Sequence, residues 1–412
     1  MSDRTKTIAI IGQGYVGLPL AMAAIKAGWT VIGIENSSTK FAGIAAGISP
    51  VEDVPSSDIQ KVRNSGQYRI SNSASDVKDA AIVTICVPTP LDSDRAPDLS
   101  ILESAVLDIA PHLVFGTLVI NESTSFPGTL REFIAPKVME YLGDKNAEIF
   151  FAVAPERVNP GDVKWHQKNT PRLVGGIDEE STRRAVEFYS SMCDEVVRVS
   201  APEVAETAKL LENTFRLVNI ALVNQLAQLC AAQGINVHEV IDAASTKPYG
   251  FMRFTPSVGV GGHCIPVDPM YLSWWAERNG TKATIINHSD EINLAMPIYV
   301  SQRVRDLVAD GGATKRALIM GVAYKPGVKD VRETPATALR DDLISNGYEV
   351  GWIDPLVEDW EGSMPVDLSW ECDVVVVATA QPGLPVEHFS ARGIPILDCT
   401  GVFKDLPNVV RL

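Results

Sequence analysis

The chain has 412 residues, of which 51 are acidic, 36 are basic and 46% are hydrophobic. This composition is typical of a globular protein with two or three domains, and it excludes a disordered or fibrous chain. The formal net charge of −15 argues against a broad surface for nucleic acid or anionic membrane, and no apolar run reaches the ~20 residues of a membrane span.

The cysteines and the N-terminus indicate the compartment. Six cysteines stand singly along the chain, so neither a zinc site nor a disulfide framework is expected. The first residues, MSDRTKTIAIIG, enter a strand directly and show no signal-peptide pattern. We therefore expect a cytoplasmic protein that binds no metal.

Five apolar runs in the first half predict a parallel sheet. They have almost no polar alternation, which is typical of strands buried on both faces. Helical stretches separate them, so the pattern predicts a doubly wound α/β domain. The runs are TIAIIG (7–12), TVIGIE (30–35), AIVTICV (81–87), TLVINEST (117–124) and EIFFAVAPE (148–156).

A glycine motif follows the first predicted strand. IIGQGYVG places Gly12, Gly14 and Gly17 in the G-x-G-x-x-G spacing, which provides a tight turn, room for a pyrophosphate and close helix packing. Glu35 ends the second strand, where a carboxylate accepts hydrogen bonds from ribose hydroxyls and repels a 2′-phosphate. The three residues after it include no arginine. The sequence therefore predicts a site for NAD rather than NADP.

A long helix is predicted from SAPE, residues 200–203, to a stop at Gly234. Ser200 and Glu203 fit a capping box, with Ser200 as N-cap and Glu203 reaching back to it. The stretch 215–230 is apolar on nearly all sides, so we expect it to be buried on more than one side. It is either a core helix of one chain or a helix that also forms a subunit interface.

Two regions offer residues for chemistry. Lys209 and Asn213 are four apart and share one helix face, where they either stabilise an oxyanion or belong to a solvated stripe. VGVGGHCIPVDP (258–269) places Cys264 in a glycine-rich loop, four residues before Asp268. Cys264 is either a small buried hydrophobic residue or a thiolate nucleophile. In the second case, the glycines would leave room for a substrate to reach the thiol.

The last hundred residues return to alternating strands and helices. We expect strands at 316–324, 348–355, 372–380 and 394–399, which together indicate a second, smaller Rossmann-like domain. The predicted fold class is α/β, with two Rossmann-like doubly wound domains joined by a central long-helix region.

Seven motifs in this order resemble the UDP-glucose/GDP-mannose dehydrogenases, over nearly the whole chain. That family oxidises a sugar-nucleotide alcohol to a carboxylate with two NAD. The resemblance implies an NAD domain at 1–200, a central helical region at 201–310 that dimerises and carries the catalytic loop, and a nucleotide-sugar domain at 311–412. The motifs are GQGYVGLPLA, CVPTPL, ESTSFPGT, APERVNPG, AETAKLLENTFRLVNIAL, GVGGHCIPVDP and GVAYKPGVKDVRETPA.

The resemblance also implies roles for the candidate catalytic residues. Cys264 would be the catalytic thiol and Asp268 its acid/base partner. Lys209 and Asn213 would form the substrate and oxyanion pair. Thr124 would lie near the reactive carbon and the nicotinamide, unless it merely caps a strand end.

Further binding residues are carried over in the same way. Glu156 would contact the substrate and assist thioester hydrolysis, unless it too caps a strand end. Arg332 would approach the cofactor, unless it forms a surface ion pair. The resemblance also implies that the cofactor is bound by Tyr15, Val16, Lys40 and Thr89. It implies that the UDP-sugar substrate is bound by Arg157, Arg253, Gly261 and Lys325.

The implied mechanism consists of two oxidations at C6. A water- or lysine-assisted base takes the hydroxyl proton as the first hydride leaves, and Cys264 then attacks the aldehyde. The thiohemiacetal gives up a second hydride, and the resulting thioester is hydrolysed by a water that Asp268 or Glu156 activates.

The catalytic loop bears on the substrate. Val267 stands where members acting on UDP-glucose or GDP-mannose carry lysine, so GGHCIPVDP looks like the branch acting on N-acetylated UDP-hexosamines. Pro266 resembles glucosamine-type enzymes, whereas mannosamine-type enzymes more often have alanine. We therefore predict UDP-N-acetylglucosamine as the substrate. UDP-N-acetylmannosamine is the second candidate and UDP-glucose the third. The alternative is a protein that binds nucleotide sugars but does not catalyse their oxidation. The presence of Cys264, Lys209, Asn213 and Asp268 argues against this alternative.

Overall fold

The computed structural model describes residues 4–143, 148–158, 164–308, 315–403 and 405–412. The chain divides into two compact units, Met1–Glu212 and Asn213–Leu412, and each contains one α/β sheet. The predicted fold class, with two Rossmann-like domains, is confirmed. The boundary predicted at 310–311 lies outside the described residues.

Eight strands form the sheet of the first unit. They are β1 Thr7–Ile11, β2 Thr30–Ile34, β3 Tyr68–Ser71, β4 Ile82–Ile85, β5 Leu118–Asn121, β6 Phe150–Val153, β7 Arg172–Gly176 and β8 Val196–Arg198. Their order is β3-β2-β1-β4-β5-β6-β7-β8, and only β6 and β7 pair antiparallel. The strand order reverses between β1 and β4, so the loops after these strands open side by side, where such sheets bind ligands.

Helices cover both faces of this sheet. Ile8 and Ile10 of β1 pack into one hydrophobic cluster and Ala9 into a second, which shows that alternate residues of one strand face opposite cores. The helices are α1 Gly17–Lys26, α2 Ser38–Ala45, α3 Ser56–Asn64, α4 Ser100–Ile109, α5 Ala135–Leu142 and α6 Glu179–Ser190.

The sheet of the second unit has five parallel strands in the order β10-β9-β11-β12-β13. The strands are β9 Lys315–Met320, β10 Tyr348–Ile353, β11 Val374–Val377, β12 Ile396–Asp398 and β13 Val409–Arg411. The helices that follow α7 Pro202–Ala232 are α8 Val237–Ser245, α9 Asp268–Arg278, α10 Thr284–Leu307, α11 Pro335–Ser345 and α12 Val386–Ala391. The nine predicted strands are all present, and β3, β7, β8 and β13 were not predicted.

The start of the long helix α7 differs from the prediction. The helix begins at Pro202, so Ala201 precedes it and Ser200 is not its N-cap. The Glu203 carboxylate accepts a hydrogen bond from Arg131 Nε at 2.6 Å instead of reaching back along the chain. Proline at the first helical position supplies a favourable φ and needs no backbone donor, which makes the capping box dispensable. The helix ends as predicted, before Gly234 at φ +68°.

The second half of α7 is buried on one side in the isolated chain. Val223 and Ala227 pack against α8, whereas Phe215, Leu222 and Leu229 are 45%, 60% and 62% exposed. The expectation that this stretch is buried on more than one side is therefore wrong for the chain alone. In the described part of the chain, α7 is also long and apolar enough to cross a membrane, judged by length and composition alone. Core helices of soluble proteins meet the same criterion.

Candidate active site

The glycine loop joins β1 to α1 as predicted. Gly12 has φ +88°, and a Cβ on it would lie 2.3 Å from the carbonyl oxygen of Cys86. A Cβ on Gly17 would lie 1.9 Å from the carbonyl oxygen of Gly12. Among the described atoms, none lies within 4 Å of a Cβ built on Gly14. The turn and the helix packing therefore require Gly12 and Gly17, whereas the space at Gly14 suits the approach of a pyrophosphate.

Glu35 follows β2 and is buried beside the glycine loop, with 5% of its surface exposed. Its Oε2 accepts from the backbone N–H of Gln13, and its Oε1 from that of Ser37, each at 2.9 Å. Tyr68 donates its hydroxyl to Gln13 Oε1 at 2.8 Å. The carboxylate is thus held at the loop, and it keeps acceptor capacity for ribose hydroxyls.

The remaining cofactor candidates also follow strands of this sheet at its carboxyl edge. Tyr15 donates its hydroxyl to Glu52 at 3.0 Å, and Val16 immediately precedes α1. Lys40 is exposed in the first turn of α2, and Thr89 is buried in the loop after β4. The glycine loop, with open space at Gly14, and the acidic side chain after β2 fit NAD.

The loop after β5 carries Thr124, which is half-buried. The neighbouring Ser123 accepts a hydrogen bond on Oγ from the Val87 N–H at 2.9 Å, which ties the loop to the one after β4. Thr124 therefore lies one strand away from the switch point, in a loop that is tied to the loop after β4.

Glu206 of α7 holds the far end of the same loop. Its buried carboxylate accepts from the backbone N–H of Gly128 at 2.6 Å and of Leu130 at 3.0 Å. Burial raises the pKa of Glu206 to about 7, although both N–H groups favour its charged form. The long helix thus anchors the segment that carries Thr124.

Glu156 follows β6 and has four hydrogen-bond donors. Oε1 accepts from the backbone N–H of Arg157 at 2.7 Å and of Val158 at 2.5 Å. Oε2 accepts from Gln167 Nε2 at 2.6 Å and from Arg172 Nη2 at 3.1 Å. Burial alone would raise the pKa of Glu156, but the Arg172 charge and these hydrogen bonds outweigh it and lower the pKa. Glu156 is an anion that does cap its strand end. The rest of its motif, 159–161, lies outside the described residues.

Sequence reasoning missed the charge cluster behind Glu156. Arg172 of β7 is buried, and its Nη1 also bonds Glu122 Oε2 at 3.2 Å. Tyr189 of α6 donates its hydroxyl to Glu122 Oε1. Burial raises the pKa of Glu122 to about 7 despite these partners. Glu122 directly follows an apolar strand, a position that indicates a functional acid, but nothing in the sequence pairs it with Arg172.

Lys209 and Arg157 lie near Glu156 within the first unit. Lys209 is half-buried on α7, and its charge helps to lower the pKa of Glu156. The Arg157 guanidinium forms an ion pair with Glu212 at 2.7 Å and donates to the Pro171 carbonyl at 2.8 Å. Arg157 thus lies after β6, at the carboxyl edge of the sheet. Its guanidinium binds Glu212 and the Pro171 carbonyl.

The second unit brings together Cys264, Asp268 and Asn213. The Cys264 carbonyl accepts from the Asp268 N–H at 2.8 Å, so the cysteine lies one turn before α9. Asn213 Nδ2 donates to Asp268 Oδ2 at 2.5 Å, and both side chains are buried. Cys264 is exposed, so its interpretation as a small buried hydrophobe is wrong. An exposed thiol one turn before the N-terminus of a helix is suited to nucleophilic attack, because the positive end of the helix dipole favours the thiolate.

The glycines before Cys264 serve packing as well as access. A Cβ on Gly262, at φ +81°, would lie 2.8 Å from the Tyr324 ring, and one on Gly261 would lie 2.7 Å from the Glu333 carbonyl oxygen. The Gly262 N–H donates to the Arg332 carbonyl at 3.3 Å. The segment 324–333 therefore packs against the loop that carries Cys264.

Three cationic candidates of the second unit lie beside protein partners. Arg332 forms a two-pronged ion pair with Asp330, at 2.9 and 2.6 Å, as the surface ion-pair alternative expects. Arg253 pairs with Asp242 at 2.5 Å, and the Lys325 ammonium lies 5.6 Å from the centroid of the Tyr324 ring. Among the described residues, no three His, Cys, Asp or Glu side chains are arranged to hold a metal ion.

Comparison with protein-family models accounts for most of the chain. The models of the UDP-glucose/GDP-mannose dehydrogenase family match in order: the NAD binding domain at 6–193, the central domain at 203–295 and the UDP binding domain at 318–403.

Individual relatives agree with these models. UDP-N-acetyl-D-mannosamine dehydrogenase of Pyrococcus horikoshii is 32% identical and covers 97% of this chain and 96% of its own. UDP-N-acetyl-D-glucosamine 6-dehydrogenase of Pseudomonas aeruginosa is 34% identical over 85% of this chain and 83% of its own. The solved structure of the Pyrococcus horikoshii UDP-D-ManNAc dehydrogenase covers 98% of both chains with a TM-score of 0.88 and 31% identity. The chain therefore belongs to the UDP-glucose/GDP-mannose dehydrogenase family and is an NAD-dependent nucleotide-sugar 6-dehydrogenase.

Proposed function

We propose that the enzyme oxidises the C6 alcohol of UDP-N-acetylglucosamine to the uronate. The UDP binding domain supports a UDP-sugar, and Val267 in place of lysine supports an N-acetylated hexosamine. Pro266 favours the glucosamine epimer. UDP-N-acetylmannosamine is the second candidate, because most of the relatives, including the Pyrococcus horikoshii enzyme, are named for it.

The observation that carries the proposed mechanism is the grouping of Cys264, Asp268 and Asn213. After the first oxidation, the Cys264 sulfur bonds to the aldehyde carbon, and the carbonyl oxygen becomes an oxyanion that takes up a proton. Lys209 and the Asn213 amide stabilise this oxyanion. The second oxidation converts the thiohemiacetal to a thioester, which keeps the sugar attached to the enzyme until water releases it.

NAD, when bound, accepts the hydride of each oxidation. The loop with Gly12, Gly14 and Gly17 would hold its pyrophosphate, and Glu35 its adenosine ribose. Each oxidation also releases a proton, and Asp268 is the carboxylate at the thiol that can accept one. Hydrolysis then restores the thiol and forms the carboxylate, so two NADH are produced for each sugar.

We also propose that two copies associate through α7. Its outer face carries Phe215, Leu222 and Leu229, which the single chain leaves 45 to 62% exposed. Large apolar side chains aligned on one helix mark an interface when nothing in the chain covers them. A cytoplasmic location is proposed as well, since all six cysteines are free thiols in the structure.

The test is NAD reduction against UDP-N-acetylglucosamine, UDP-N-acetylmannosamine, UDP-glucose and GDP-mannose, with the stoichiometry measured by mass spectrometry of the product. We expect two NADH per sugar and the highest kcat/KM with UDP-N-acetylglucosamine. UDP-glucose as best substrate, or one NADH per sugar, would overturn the proposal. A preference for UDP-N-acetylmannosamine would reassign the epimer and leave the chemistry standing.

A further inference from the structure

Two buried asparagines lie behind the first residue of the Cys264 loop, the name used here for residues 257–267. Asn224 of α7 is 0% exposed and Asn293 of α10 is 2% exposed. Asn224 Oδ1 accepts from the backbone N–H of Ser257 at 2.9 Å, and Asn224 Nδ2 donates to Asn293 Oδ1 at 2.9 Å. Asparagine is seldom fully buried, and here each buried amide is satisfied by the other and by the backbone.

The same two side chains connect α10 to α7 and to the loop, all within the second unit. Asn293 Nδ2 donates to the Leu217 carbonyl of α7 at 3.2 Å. Pro297 lies inside α10 and has no N–H, so it cannot donate to the carbonyl of Asn293 four residues before it. That carbonyl faces the loop, because a Cβ on Gly259, at φ +143°, would lie 2.9 Å from its oxygen. The loop therefore packs on α10 at the point where the helix lacks a backbone donor.

One face of α7 holds both ends of the Cys264 loop. Asn224 follows Asn213 after about three helical turns, so the two side chains point in the same direction. Asn224 binds the first residue of the loop, Ser257, whereas Asn213 binds Asp268, the residue directly after it. The loop between these anchors contains three glycines and has little stiffness of its own.

We propose that Asn224 and Asn293 are positioning residues for Cys264, which act by fixing the start of the Cys264 loop on α7 and α10. This inference rests on the proposed thioester mechanism, in which the thiol must meet the aldehyde carbon. A displacement of about 1 Å in a reacting group can lower the rate about 100-fold. A loop that is anchored at its end alone would therefore carry a thiol that attacks slowly.

The main test is amide hydrogen exchange of Asn224→Ala, without substrate. Loss of the acceptor for the Ser257 N–H should speed exchange of the backbone amides of Ser257–Gly262 at least about tenfold, while the amides of β9 and β11 keep their native rates. Asn279→Ala, at an exposed asparagine directly after α9, is the matched control and should leave exchange in the loop unchanged. Native exchange of the loop in Asn224→Ala would overturn the proposal.

Turnover shows whether the order of the loop matters to the thiol. With NAD and UDP-N-acetylglucosamine, or UDP-N-acetylmannosamine if that is the better substrate, kcat of Asn224→Ala should fall at least about tenfold. The Kd of NAD, measured by calorimetry, should stay within about twofold of the native value, because the NAD binding domain at 6–193 contains neither asparagine. A native kcat together with faster exchange of the loop would overturn the proposal.

A conservative variant tests the role of the acceptor. Asn224→Asp keeps an oxygen for the Ser257 N–H, and a buried carboxyl in its neutral form also donates to Asn293. At about pH 6 this variant should recover both loop exchange and kcat to within about threefold of the native enzyme, because burial keeps the carboxyl neutral. Loop exchange as fast in Asn224→Asp as in Asn224→Ala would contradict the role of the acceptor.

Cys230 reports whether α7 itself stays folded. Its thiol is 6% exposed on α7 and should resist iodoacetamide in every variant, as peptide mass spectrometry can show. If Cys230 reacts in Asn224→Ala, Asn293→Ala takes its place, since it leaves the Ser257 acceptor present but removes the partner that holds it. Faster loop exchange and a lower kcat are expected there too, and native values of either would overturn the proposal.

The Cys264→Ala enzyme separates this inference from the proposed function. If Cys264→Ala turns over at the native rate, the proposed function fails, whatever the exchange of the loop shows. If Cys264→Ala is inactive while Asn224→Ala keeps native loop exchange or native kcat, the proposed function stands and the inference is wrong.

Discussion

Asn213 donates a hydrogen bond from its side-chain amide to Asp268 at 2.5 Å, which joins α7 to the first residue of α9. The two residues are 55 positions apart in sequence. Because both are buried, the bond fixes the carboxylate at the start of α9, four residues after Cys264. It also raises the question whether Asp268 acts on protons or only holds the loop in place.

Exchanging the two side chains answers this question. Asp268→Asn should lower kcat by about 10²- to 10⁴-fold, with little effect on the free energy of unfolding, because an amide oxygen can still accept from Asn213. Asn213→Asp should destabilise the protein by placing two carboxylates together. The double variant should regain stability in urea unfolding without regaining turnover. Native turnover in the double variant would leave Asp268 a structural role only.

Cys264→Ala should abolish uronate formation while NAD and UDP-sugar binding persist. Loss of the nucleophile removes the covalent intermediate, so turnover should fall by several orders of magnitude. Titration calorimetry checks binding, and product mass spectrometry checks turnover. Cys372→Ala, at a half-buried thiol, is the matched control and should retain activity. A Cys264→Ala enzyme near the native rate would exclude the thioester mechanism.

NAD should be preferred over NADP by at least about tenfold in kcat/KM, or about 1.4 kcal/mol. Glu35 is fixed by two backbone N–H groups and cannot easily turn away from a 2′-phosphate. Steady-state kinetics with both cofactors at saturating UDP-sugar provides the measurement. Comparable efficiencies would show that Glu35 does not face the ribose.

The protein should be a dimer at micromolar concentration, and the combined change of Leu222→Glu and Leu229→Glu should make it a monomer. Both leucines point outward from α7, so charge there opposes association without entering the core. Multi-angle light scattering gives the mass. Ile344→Glu, 52% exposed on α11, is the control that should stay dimeric. A monomeric native protein would contradict the interface.

Glu206 should make the protein less stable as the pH rises toward neutrality. Its pKa in the folded state is raised to about 7 from an ordinary value of 4.5, so the folded state holds the proton more tightly than the unfolded chain. Its stabilising contribution is full below pH 4.5 and is lost as the pH rises through about 7, a loss on the order of 3 kcal/mol in the free energy of unfolding. Urea unfolding should show a smaller decline between these pH values in Glu206→Gln. Equal declines would mean that Glu206 is not the group responsible.

The sequence predicted the central strands because these are continuous apolar runs. It did not reveal β3, β7, β8 or β13, which are short and carry polar residues such as Arg69, Arg172, Arg198 and Arg411. In β7 the arginine is a buried partner of two acids, so its charge is compensated by residues distant in sequence. A periodicity of polar and apolar residues cannot show such compensation.

The sequence predicted which residues belong to the candidate site, but it did not predict most of their contacts. Family motifs supplied Cys264, Asp268 and Asn213, and the structure supplied their grouping within the second unit. The motifs could not show that Arg157 and Arg332 are paired with Glu212 and Asp330, since each pairing depends on the folded loops.

The three glycines of the glycine loop, Gly12, Gly14 and Gly17, are required for different reasons. A screen that retains every folded variant would keep Gly12 and Gly17, where a methyl group collides with the backbone, and would accept alanine at 14. A screen for turnover would keep all three. We therefore expect Gly14→Ala to fold normally and to bind NAD weakly, which would separate the architecture of the glycine loop from its use in dehydrogenase chemistry.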